Sequence, residues 1–182
     1  MRRIAFHIPS ALGWLLLLTV GFGCKKEESI ATFEVVNSAL YPGAELGLGP
    51  GPQHYLPVRQ VYSRLDQASN NNGTSPNQVQ AATLSEVELQ LTSSYAAQNF
   101  DRLRSVTVYL IDAQGARSVL AQTTAIPSGA TRLLLTHGGP SMLSELKAGS
   151  YYVAPAVELQ SGAQLAGDLK LQLRYQVQAR KP

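Results

Sequence analysis

Twelve consecutive residues near the C-terminus keep a period of two without a break. Leu169, Leu171, Leu173, Tyr175, Val177 and Ala179 fall on one side, and Lys170, Gln172, Arg174, Gln176, Gln178 and Arg180 on the other. Successive side chains of a strand point to opposite faces, so this pattern predicts a long strand with one buried and one wet face, as in an antiparallel sheet. Shorter stretches repeat the signal. Val87, Leu89 and Leu91 alternate with Glu86, Glu88, Gln90 and Thr92. Val106, Val108 and Leu110 alternate with Ser105, Thr107 and Tyr109 before Asp112-Ala113-Gln114-Gly115 turns the chain, and Val119 to Thr124 makes a hairpin partner.

The remaining segments are less regular. Strands are expected at Thr32–Asn37, Tyr55–Leu65, Leu133–Thr136 and Tyr151–Leu159. Asn77 to Ala82, after Pro76, reads as a turn of helix, and Ser141 to Leu146 as another, closed by Gly149. Pro42 to Pro52 carries Gly43, Gly47, Gly49 and Gly51 among three prolines, too many breakers for a ladder. Loops are therefore expected near 42–53 and 66–76, the second around Asn70-Asn71-Asn72-Gly73. Five or more short strands with tight turns predict an all-β, antiparallel β-sandwich, immunoglobulin-like or jelly-roll-like, with one or two short helical turns.

The N-terminus follows different rules. Arg2-Arg3 is followed by an apolar run from Ala11 to Phe22, with Gly23 just before Cys24. Twelve apolar residues fall short of the roughly twenty that span a bilayer, so the segment reads as a cleaved signal peptide. Cys24 is the chain's single cysteine, and simple secretion would leave it as a lone thiol in an oxidising compartment. Val20-Gly21-Phe22-Gly23-Cys24 resembles the lipobox of bacterial lipoproteins, with Phe22 bulkier than usual and Gly21 in place of the common leucine. The resemblance implies acyl chains on Cys24 and attachment to the membrane through them. One chain anchors only reversibly, at about 0.8 kcal/mol per buried methylene; the two or three of a mature lipoprotein hold durably. Lys25-Lys26-Glu27-Glu28-Ser29 looks like the export signal of Bacteroidota surface lipoproteins, carried by Lys26, Glu27 and Glu28. That implies an outer-membrane protein on the cell surface, the periplasmic face being the alternative.

The expected organisation is a signal at 1–23, a charged tether at 24–31 and one sandwich domain at 32–182. Cleavage leaves 159 of the 182 residues, enough to bury a core without a disulfide or metal staple. The overall excess of Lys and Arg, 15 against 12 acidic residues, shrinks further because Arg2 and Arg3 leave with the signal. No basic stripe with interleaved aromatics is present, so nucleic acid is not an expected partner.

From Leu84 to Ala179 the order of segments, with Leu89-Gln90-Leu91-Thr92-Ser93, then Gln98-Asn99-Phe100-Asp101, then Ser105 to Leu110, resembles Bacteroidota lipoproteins built as β-sandwiches. The resemblance implies a fold and brings no activity with it.

The residues themselves offer little chemistry. His54 and His137 lie far apart with no acidic neighbour, against the clustered ligands a zinc site needs, so no metal or other cofactor is expected. His137-Gly138-Gly139-Pro140 is similar to an esterase oxyanion element, but no Gly-x-Ser-x-Gly elbow accompanies it. Glu86 and Glu88 lie about 7 Å apart along one strand face, where solvated polar positions are the ordinary explanation. No nucleophile–base pair marks an enzyme. Tyr95, Tyr109 and Tyr151-Tyr152 remain as candidates for a glycan or protein surface, and of the last two, one must point outward. The expected role is binding or structural, with a carbohydrate- or adhesion-binding module as the alternative and a hydrolase as the weakest reading.

Overall fold

A computed structural model describes residues 29–43, 53–92, 99–161, 163 and 167–182. Cys24, Lys26, Glu27, Glu28, Tyr95 and most of the glycine- and proline-rich stretch at 42–53 lie outside the described residues.

The expected last strand, β10 (Leu169–Arg180), is present over its full length, and its six apolar side chains are all fully buried. It is an inner strand of the first sheet, whose order is β1-β10-β4-β7. On one side β10 pairs antiparallel with β1 (Ile30–Tyr41), from Ile30↔Arg180 to Tyr41↔Leu169. On the other it pairs with β4 (Val79–Leu91). Strand β1 is twice the length expected from Thr32–Asn37. Its inward positions include Asn37 and Ala39, which interrupt the apolar signal but face the core all the same. Pairing with β10 also starts the strand at Ile30, two residues inside the expected tether.

The second sheet runs β2-β9-β5-β6-β8, with β3 also on β9. It contains β2 (Gln53–Tyr55), β3 (Arg59–Tyr62), β5 (Leu103–Ile111), β6 (Arg117–Thr123), β8 (Thr136–His137) and β9 (Ser150–Leu159). The single strand expected over Tyr55–Leu65 is broken. β2 and β3 pair with successive parts of β9, and the break faces Pro155, whose carbonyl accepts from Leu56 N–H at 2.8 Å. In an antiparallel ladder a residue's N–H and C=O point to the same neighbour, so Pro155 has no donor to offer on that side. Pro57 lies in the gap itself.

Two further expectations need correction. Leu133–Thr136 is not one strand: β7 (Arg132–Leu134) joins β4 in the first sheet, and β8 joins β6 in the second. Buried Leu135 is the crossing point between them and bonds to Val87. The loop expected near 66–76 contains a helix, α1 (Leu65–Asn71), and the helical turn expected over Asn77–Ala82 is a 3₁₀ turn at Pro76–Gln78, with β4 beginning at Val79. The asparagine-rich α1 has poor intrinsic propensity; Leu65 and Ser69, one turn apart, are both buried and dock it by tertiary packing. The other helix, α2 (Leu143–Lys147), begins two residues later than expected and closes at Gly149 with φ 81°.

If β2 and β3 are one interrupted strand and β8 is a two-residue addition, eight strands remain. Among these eight described strands only β5 to β6 is a hairpin within a sheet; every other step from one of the eight to the next crosses between sheets. That is jelly-roll wiring, whereas an immunoglobulin sandwich keeps several consecutive strands side by side.

Leu173 lies in the middle of β10 with no exposed surface, and its neighbour Gln172 faces the other way. Leu173→Glu buries an unpaired charge, at several kcal/mol against a total stability of about 5–15 kcal/mol. Gln172→Glu, which stands opposite Glu88 in the ladder, is expected to cost at most about 1 kcal/mol. Urea unfolding of the two variants checks the difference, and equal effects would contradict the assigned faces.

Candidate functional site

The outer faces of the two sheets differ in kind. On the first, Arg174 reaches Glu34 at 3.0 Å and Glu86 at 2.8 Å, while Arg132 lies 3.6 Å from Glu88. Glu86 and Glu88 thus sit on the expected face, each engaged by an arginine of a neighbouring strand. Ion pairs at such exposure are worth at most about 1 kcal/mol each, and they leave these carboxylates engaged with arginines.

The second sheet turns tyrosines outward. Tyr152 is 44% exposed and Tyr151 only 4%, so the pair divides as strand alternation requires. Ladder register places Tyr109 opposite Ala154, Tyr55 opposite Ala156, and Tyr62 opposite Ser150. Tyr55 and Tyr62 are 52% and 69% exposed. Tyr55 and Tyr109 stand on strands that flank β9, about 9.6 Å apart by two strand spacings. Their ring centroids are nevertheless 6.3 Å apart, so the rings lean toward each other across β9. Ala154 and Ala156 beneath them are buried although they lie on the outer face. Small residues on β9 make this floor, and a larger side chain there would push the rings apart.

Polar groups border the rings. The Arg117 guanidinium lies 4.5 Å from the centre of the Tyr55 ring, within cation–π range. The Tyr62 hydroxyl donates to Gln60 at 3.2 Å, and the Gln60 amide donates to Ser150 at 2.9 Å. At the far end of β9, Glu158 accepts from Ser105 at 3.1 Å. Aromatic planes edged by an amide, hydroxyls and a carboxylate can stack on an apolar face and bond to its polar rim.

Behind this face, Tyr151 belongs to a polar cluster inside the core. Its hydroxyl meets that of Tyr175 at 2.5 Å and accepts from Asn37 at 3.3 Å, and the two rings stand edge-on. The Asn37 carbonyl in turn accepts from the Arg64 backbone N–H at 3.2 Å. Burial disfavours the phenolate, pushing Tyr151 up to about 12 and Tyr175 and Tyr41 higher still.

The histidines are not brought together. His54 is on β2 and His137 on β8, the opposite edges of the second sheet, about 19 Å apart by four strand spacings. His137 Nδ1 accepts from the Gly139 N–H at 3.1 Å, within a turn where Gly139 has φ 62°. Among the described residues no group of three or more His, Cys, Asp or Glu is placed to hold a metal. No helix among them is long and apolar enough to cross a membrane.

No family model matches the chain, and no curated protein matches it. Among solved structures it is similar to one described as "Crystal structure of 60-mer BFDV Capsid Protein", at 8% identity and TM-score 0.39, over 85% of this chain and 95% of that one. The strand order by itself defines the jelly roll.

Tyr109 and Tyr152 were legible in the sequence as candidates; Tyr55, Tyr62, Gln60 and Arg117 were not. Some ninety residues separate Tyr62 from Ser150, and only the β3–β9 register makes them neighbours. The available signal was two tyrosines, Tyr55 and Tyr62, within one expected strand, Tyr55–Leu65.

The buried phenols predict an alkaline weakness. A tyrosine whose folded pKa is raised is favoured as the neutral form; its contribution is complete below the unfolded value of about 10 and disappears as pH rises toward the folded value. Stability is therefore expected to fall between about pH 10 and 12. Tyr151→Phe should be less stable at pH 8 and show a shallower loss above pH 10, read from urea midpoints. An identical slope in the variant would contradict the assignment.

Proposed function

We propose that the protein is a lipid-anchored jelly roll carried on the outer membrane, and that it works by binding, without catalysis, through the outer face of its second sheet. The observation that supports this most is the segregation of four tyrosines, Tyr55, Tyr62, Tyr109 and Tyr152, onto the second sheet's outer face, which carries one arginine–carboxylate pair, Arg104–Glu158 at 3.9 Å, whereas the first sheet's outer face is built around Arg174 and Arg132 with Glu34, Glu86 and Glu88. Tyrosine supplies large contact area at little conformational cost and keeps a polar tip in water, which suits a surface that meets a ligand. The anchor reading rests on the signal-like N-terminus ending at Cys24, and the surface reading on Lys26, Glu27 and Glu28.

Cys24→Ser is expected to abolish acylation and release the domain from the membrane, as read by detergent partition. Alanine at Lys26, Glu27 and Glu28 should leave acylation intact and hide the domain from protease added to intact cells. Membrane retention of the serine variant would refute the anchor, and full protection of the wild type on intact cells would refute surface display.

A carbohydrate- or adhesion-binding role is the second reading, favoured by Gln60 and Ser150 beside Tyr62. Exposed rings with amide and hydroxyl neighbours match a sugar, whose ring offers apolar C–H faces and a rim of hydroxyls. Tyr152→Ala and Tyr55→Ala should each reduce binding on a glycan array at least tenfold with the urea midpoint nearly unchanged. Wild-type protein that binds no glycan would refute this reading and leave a protein partner.

A further inference from the structure

The core-facing side of β5 is sealed at Val106 and Val108, but Leu110, next in that row, is only half-buried. At this end the sandwich opens into a cavity of about 350 Å³, between the end of β5, helix α2 and the start of β9. That volume is at the small end of the range for small-molecule sites, about 300–1,000 Å³. Its walls are chiefly apolar, with Leu110, Ile111, Ala113, Ala148, Tyr151 and Tyr152 among the residues that line it.

Two charged residues line it, Asp112 and Glu145, and both are carboxylates. They are not equivalent. Asp112 holds the β5–β6 turn, accepting from the N–H groups of Gln114 at 2.9 Å and Ala116 at 2.7 Å. Glu145 accepts from the hydroxyl of Ser144 at 2.7 Å and forms no ion pair among the described residues. Its charge is felt inside the core, where it helps to disfavour the phenolates of Tyr151 and Tyr175.

We infer that this cavity binds a small organic cation with an apolar body, an alkyl- or aryl-ammonium. The apolar walls take the body, and Glu145 supplies the missing counter-charge. An anion of the same shape would meet two carboxylates and no cation. The site borders the tyrosine face at Tyr152, but its charge comes from Glu145 on α2, which is no part of that face.

The test uses the full acylated protein in neutral detergent, titrated calorimetrically with benzyltrimethylammonium and with phenylacetate. The ammonium probe is expected to bind saturably, and phenylacetate at least tenfold more weakly. Glu145→Gln should weaken the ammonium at least tenfold and erase the preference for cation over anion, with an unchanged urea midpoint. Ala148→Trp, which fills the cavity, should abolish binding of the ammonium; should that variant not fold, Glu145→Gln decides alone. Absence of saturable ammonium binding by the folded wild type, equal affinity for phenylacetate, or undiminished ammonium binding by Glu145→Gln would each overturn the inference.

Discussion

The burial of one face of β10 is the interaction on which the rest of this molecule depends. Six apolar side chains in strict alternation lose all contact with water, and each contributes on the order of 1–3 kcal/mol relative to exposure. Because side chains alternate, a slip of one residue would turn this whole face outward and bury lysine, glutamine and arginine in its place. The register of β1 and β4 follows from that penalty. Asn37 is carried into the core by the same constraint, since its position on β1 faces inward whatever residue fills it. The hydroxyls of Tyr151 and Tyr175 complete the polar cluster that makes its burial tolerable.

The second sheet is less uniform, and its irregularities place the candidate surface. Pro155 in the middle of β9 withholds one donor, and the edge strand opposite is interrupted there. Tyr55 ends one piece and Tyr62 the other, so the break separates two exposed rings along one edge. Ala154 and Ala156 are small enough for Tyr55 and Tyr109 to close over β9. The face is therefore held by the same packing that completes the sheet, and a ligand would meet rings already in position.

Crossing connections give the two ends of the sandwich their character. The step from β7 to β8 through Leu135 closes one edge within a single residue. At another end α2 spans the opening above Leu110 without filling it, leaving an apolar cavity beside a carboxylate. The apolar cavity and the tyrosine face thus lie close together, with Tyr152 at their border.

The sequence by itself determined the period-two strands, the β5–β6 hairpin and the all-β class, because alternation is a local property that any half-buried strand must show. It also contained the lipoprotein-like N-terminus and the outward turn of one residue in the Tyr151-Tyr152 pair. Tertiary structure alone decided the rest. Strand order separates a jelly roll from an immunoglobulin sandwich, and order depends on which sheet each connection reaches, a property of no single segment. The full length of β1, the division of Leu133–Thr136 between two sheets and the helix at Leu65–Asn71 all arise from contacts with distant chain. Local pattern could not reveal them, since Asn37 and Ala39 look like interruptions until β10 lies beside them, and an asparagine-rich turn becomes helical only when Leu65 has a core to enter. The tyrosine face and the cavity belong to the same class: each is assembled from strands far apart in sequence, and burial of the opposite side chains is what holds them together.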